Sequence, residues 1–179
     1  MRAAAMLGCA ALLVATGARA QVSQADALAA EALFREGKDL VTAKKTSAAC
    51  AKFAESQRLD PQLGTLLYLA TCHSEEGKSA TAWAEFLEAA DQASRIHDDA
   101  REKIARERAD KIAPTVPRVL LEVDPANPPL EVSLDGQKVR ASPGVPIPID
   151  PGAHTVAVQP IFPLKSRGFL HRVVGTGVE

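Results

Sequence analysis

The chain has 179 residues, of which 46% are hydrophobic and 24% charged, with 21 basic against 22 acidic side chains. That composition suits a globular protein of one large or two small domains and excludes a disordered chain. A slightly negative balance also excludes the dense basic surface that nucleic-acid binding needs. Aromatic residues are only 4% of the total. Alanine fills the first two thirds of the chain, and valine and proline the last third. The shift predicts an α+β protein: a helical array of about five helices, then a small antiparallel β-sheet domain.

The first 20 residues read as a signal peptide. Arg2 supplies a positive start, residues 3–16 form an apolar run too short to span a bilayer, and Ala18-Arg19-Ala20 offers small residues for cleavage. The expectation is an exported protein of the periplasm or cell envelope with no membrane span after cleavage. Leu7-Gly8-Cys9 imitates a lipid-attachment box, but Cys9 precedes a usable apolar core, so no lipid anchor is expected. Losing Arg2 and Arg19 leaves 19 basic against 22 acidic residues. Nucleic acid is not an expected partner.

Residues 21–113 read as helices. Ser23 is placed to cap the first, with Asp26 near its positive end. Ala30, Leu33, Phe34, Gly37, Leu40 and Val41 then form one apolar stripe. The lysine-rich stretch 43–47 breaks it and offers hydroxyls to start a second helix carrying Ala49, Phe53 and Ser56, which stops at Asp60-Pro61. A third helix over 65–73 is too apolar to face water on all sides. Glu76-Gly77-Lys78-Ser79 is a turn whose serine is placed to cap a fourth helix over 79–94. Asp98 is placed to cap a fifth, over 99–112, with acid-first i, i+4 pairs Asp99 with Lys103, Glu102 with Arg106 and Glu107 with Lys111. Those charges read as a solvated face.

Two of these segments are copies of one pattern. Ala49, Ala51, Phe53 and Glu55 recur as Ala82, Ala84, Phe86 and Glu88 at an offset of 33, and Gly37 recurs as Ala70. Small residues twelve apart, followed four later by a phenylalanine, suit antiparallel helices that close up at the small positions and bury the ring between them. Residues 30–61 resemble a tetratricopeptide repeat, with Leu33, Gly37, Leu40, Ala49, Phe53 and Pro61 at its characteristic positions. The stretch 63–92 is similar, with Leu66, Ala70, Gly77, Ala82, Phe86 and Ala89, but lacks the closing proline. The resemblance implies that the first helices of each pair line a concave groove for a peptide or partner protein. Carried over by position, the groove residues are Phe34, Lys38, Val41, Thr42, Leu67, Thr71, Ser74 and Glu75; Phe34 and Leu67 suit the core equally well. The resemblance also puts Cys50 on the second helix of one unit and Cys72 on the first helix of the next, where they either form a disulfide or stay buried as free thiols.

After a linker at 114–118 the periodicity changes to two. Val119, Leu121 and Val123 alternate with Leu120 and Glu122, and Leu130, Val132 and Leu134 with Glu131 and Ser133. Asp135-Gly136 marks a tight turn. Val145, Ile147 and Ile149 alternate with Pro146 and Pro148, which fits only an edge strand or an irregular segment. His154, Val156 and Val158 alternate once more. Asp124-Pro125, Leu134-Asp135-Gly136, Ser142-Pro143-Gly144 and Asp150-Pro151-Gly152-Ala153-His154 resemble a PEGA-type β module over 119–159, a kind of small sheet domain attached to bacterial envelope proteins. Residues 160–179 depart from that pattern; 169–174 read either as a last strand or as part of a truncated end.

No catalytic motif is seated anywhere. His73, His97, His154 and His171 are isolated in sequence, Cys72-His73 lacks metal-ligand spacing, and there is no glycine-rich phosphate loop or nucleophile elbow. His154 reads as a cap for the final hairpin. The expectation is a protein without cofactor, metal or catalytic residues, working as an envelope interaction or scaffolding component. Its partner is an envelope protein or peptide, or, alternatively, cell wall or polysaccharide held by the β domain.

Overall fold

The computed structural model describes residues 22–121, 130–139, 144–160 and 173–176. The expected signal peptide with Cys9, the dipeptides Asp124-Pro125 and Ser142-Pro143, and residues 161–172 lie outside them.

Among the described residues five helices come first: α1 Gln24–Thr42, α2 Thr46–Leu59, α3 Leu63–Glu75, α4 Ser79–Arg95 and α5 Asp99–Ile112. Each end has a local cause. The Ser23 hydroxyl accepts from the Asp26 amide and the Asp98 carboxylate from the Arg101 amide, as their positions predict. Gly77 takes φ +79°, where a side chain is disfavoured, and closes α3 while the Lys78 amide donates to the His73 carbonyl. The hydroxyl cap expected for α2 is not made, since Lys45 precedes that helix, and α3 begins at Leu63, two residues before its expected start at Thr65.

The helices pack as the repeat pattern requires. Gly37 and Ala49 are buried around the fully buried Phe53 ring, and Ala70 and Ala82 around Phe86. Burying each ring stabilises the fold by about 1.5–3 kcal/mol. A buried hydrogen bond of 2.8 Å from the Ser56 hydroxyl to the Ala30 carbonyl ties α2 to α1. Cys50 and Cys72 form a disulfide with Cα atoms 5.5 Å apart, joining α2 to α3. Small residues let α5 approach α4 closely: Ala105 meets Ala89 and Ala90, and Ala109 meets Ala82 and Phe86. On its outer face Glu102 pairs with Arg106 at 2.8 Å, whereas Lys103 turns to Glu107 rather than to Asp99.

After a 3-10 turn, Ala113–Thr115, the described residues form six strands: β1 Arg118–Leu121, β2 Leu130–Leu134, β3 Gln137–Val139, β4 Ile147–Pro148, β5 Val156–Pro160 and β6 Val173–Thr176. They form two antiparallel sheets, ordered β4-β1-β6 and β3-β2-β5. Val119 of the first and Val132 of the second are buried against each other's neighbours, with Val139, Ile147, Ile149, Val156 and Val158 around them. Asp135 and Gly136 both take positive φ, +50° and +79°, the geometry that a two-residue hairpin needs. The proline-bearing β4 sits at a sheet edge, as its missing amides dictate. The last strand begins at Val173 and pairs with β1 over four residues.

The two parts touch. Val116, in the segment that joins them, is buried, and Arg118 places its guanidinium over the Trp83 ring of α4, 6.0 Å from its centroid. The cap expected from Ser79 comes instead from Asp150, about 70 residues away. One carboxylate oxygen accepts from the Ala80 and Thr81 amides at 2.8 and 2.9 Å, and the other from the Thr81 hydroxyl at 2.6 Å. Lys78 provides no side-chain cap, so a residue of the β part satisfies the first turn of α4.

Candidate binding groove

The stripe of α1 that faces α2 leaves a second face toward solvent, and α3 and α5 present theirs beside it. Between them lies a hollow of about 310 Å³, lined by Val41 of α1, by Leu67, Tyr68, Thr71, Cys72 and Glu75 of α3, and by Ile104 and Arg108 of α5. A wider hollow of about 600 Å³ continues toward the start of α1, with Glu31, Phe34, Leu63, Tyr68, Ile96 and Arg101 among its walls. Tyr68 belongs to both. It stands edge-on to Phe34 with centroids 5.2 Å apart and beside Phe53 at 5.3 Å, so an aromatic cluster separates the hollows.

Of the eight residues singled out in the sequence, Val41, Leu67, Thr71 and Glu75 are brought together in the first hollow. Phe34 lines the second and is half-buried, packing on Phe53 at 5.7 Å; Lys38 places its ammonium over the Phe34 ring. Thr42 and Ser74 line neither hollow. The Thr42 hydroxyl donates back to the Lys38 carbonyl at 3.1 Å.

Three groove residues escaped the sequence reading: Tyr68, Ile104 and Arg108. Ile104 and Arg108 are four apart on α5, each just before an alanine that packs on α4. That spacing was the available signal, since a helix that buries Ala105 and Ala109 must turn the preceding residues toward α3. Arg108 donates to the Thr71 hydroxyl and lies over the Phe86 ring, 5.7 Å from its centroid, so it bridges α5 to α3. At the end of α3, the Lys78 ammonium and then the Ser47 hydroxyl hold the Glu76 carboxyl below the usual carboxylate range, with burial opposing them.

The first hollow therefore offers exposed apolar surface, the hydroxyls of Tyr68 and Thr71, the Glu75 carboxylate and the Arg108 guanidinium. Among the described residues no group of three or more His, Cys, Asp or Glu side chains gathers to hold a metal ion, and no helix is long and apolar enough to cross a membrane. His73 is not isolated in space: its Nδ1 meets Glu85 of α4 at 2.8 Å. No protein-family model, curated protein or solved structure matches the chain.

Proposed function

We propose that the chain is an exported, non-enzymatic interaction or scaffolding protein of the bacterial envelope, a tetratricopeptide-like array carrying a PEGA-like β module. One observation carries this reading. Val41, Tyr68 and Ile104, from three successive groove-lining helices, each leave 41 to 45% of their surface exposed around one hollow. Apolar surface gathered in a concavity with a few polar groups at its rim marks a place where another chain docks. An extended or helical segment would set an apolar side chain among Val41, Leu67 and Ile104 and meet Thr71, Glu75 and Arg108 with its polar groups.

The test is equilibrium binding of peptides selected by display against the full chain. Ile104→Asp places a charge in the hollow at a residue 45% exposed, whereas Tyr68→Asp also removes the ring that packs on Phe34 and the buried Phe53. Each is expected to weaken binding at least tenfold, about 1.4 kcal/mol, with the thermal midpoint unchanged in Ile104→Asp and lowered in Tyr68→Asp. Binding that survives both substitutions would remove the groove from the account. Co-sedimentation with wall material at undiminished strength in both variants would move the function to the β module.

A further inference from the structure

His154 lies between two acceptors. Its Nδ1 is 2.7 Å from a carboxylate oxygen of Asp135, in the β2–β3 turn, and its Nε2 is 2.6 Å from the backbone carbonyl of Asp150. A neutral imidazole has one N–H and can serve only one of them; the imidazolium serves both. The other Asp135 oxygen accepts from the Thr155 amide at 2.9 Å, which fixes that carboxylate in place. Asp150, whose carbonyl the imidazole holds, is also the residue that caps α4.

The surroundings favour the charged form. The Asp135 carboxylate first, and the Asp150 carbonyl next, push the His154 pKa above its ordinary 6.5, and the same contact holds Asp135 below its ordinary 3.8. Among the described residues, the titratable groups in the cleft between α4 and the β part are Asp135, Asp150 and His154. From α4 the cleft receives Ala80, Thr81, Trp83 and Ala84, none of which titrates near neutrality. Lys78, just before α4, is engaged with Glu76 at 2.7 Å, and Arg118 of β1 lies over Trp83.

We propose that His154 is a proton-operated latch between the two parts of the molecule. As the imidazolium it ties the Asp135 turn to the Asp150 backbone, and Asp150 in turn holds the first turn of α4. Deprotonation leaves a ring-nitrogen lone pair facing an oxygen lone pair at one of the two contacts. The segment that presents Asp150 then loosens, and the β part is released from α4. The sign follows from the raised folded-state pKa: the latch is fully closed below the ordinary His value and opens as pH rises through the raised one. It also opens in strong acid, as Asp135 gains a proton through its lowered pKa. This inference does not depend on what the groove binds.

Trp83, the single tryptophan, lines the same cleft and reports on it. In the full chain, Trp83 fluorescence is expected to change sigmoidally with a midpoint above pH 6.5. The change should vanish in His154→Gln, and its midpoint should fall in Asp135→Asn, which keeps the shape and removes the charge. Spin labels at Asp91→Cys on α4 and Lys138→Cys on β3 should give a narrow distance distribution below the midpoint and a broad one above it. Asp150→Ala should broaden that distribution at every pH while helical circular dichroism is unchanged. A fluorescence transition that persists with the same midpoint in His154→Gln and Asp135→Asn would overturn the latch. So would a distribution equally narrow on both sides of the transition.

Discussion

Gly37 shows how a single side chain sets the spacing of the first helix pair. A Cβ built there would lie 2.6 Å from Cε1 of the Phe53 ring, well inside van der Waals contact. In an exposed helix Gly→Ala gains about 1 kcal/mol from propensity, but overpacking a filled core costs about 1–3 kcal/mol. Phe53 is fully buried and has little room to give way. Gly37→Ala is therefore expected to lower stability in denaturant titrations despite its better helix propensity, and a gain would contradict the packing. Phe53→Ala and Phe86→Ala should each cost about 3–5 kcal/mol by the same measurement, and should cost similar amounts because the two rings play one role. These positions were legible in the sequence because the repeat prints them twice. Asp150 was not, since a cap about 70 residues away leaves no local pattern.

Among the elements, helix number and order followed from apolar spacing, Asp60-Pro61 and the Ser23 and Asp98 caps. Of the hydroxyl caps that failed, the one expected from Ser79 is overridden by a tertiary partner, Asp150, whereas α2 begins with no side-chain cap. The Cys50–Cys72 bridge links α2 of one repeat to α3 of the next across 22 residues. In the chain-entropy model such a loop contributes roughly 3 kcal/mol. The double substitution Cys50→Ser, Cys72→Ser is thus expected to lower Tm by several degrees while keeping helical content, and an unchanged Tm would contradict a stapling role. Removing the α5 cap with Asp98→Ala should cost about 0.5–2 kcal/mol, measured by the same unfolding curves. The β strands were legible where alternation was clean, as in 130–134. Their division into two facing sheets was not, because pairing partners such as β1 and β6 are distant in sequence and alternation alone does not choose between them.

For the whole molecule, a helical array and a β part meet at α4, while the groove opens on α1, α3 and α5. Half of the groove was legible because the repeat assigns equivalent positions to α1 and α3. The α5 wall was hidden by its charge: a helix with so many Arg, Glu and Lys residues reads as solvated, yet Ile104 and Arg108 turn into the hollow. The most direct test of the account is photo-cross-linking of the full chain in its native cells, with the reactive amino acid placed at Ile104 or, as a control, at exposed Glu88 on α4. The account predicts a discrete protein adduct from position 104 that Tyr68→Asp abolishes, and none from position 88. Equal adducts from both positions, or adducts to glycan alone, would contradict the groove as the working surface.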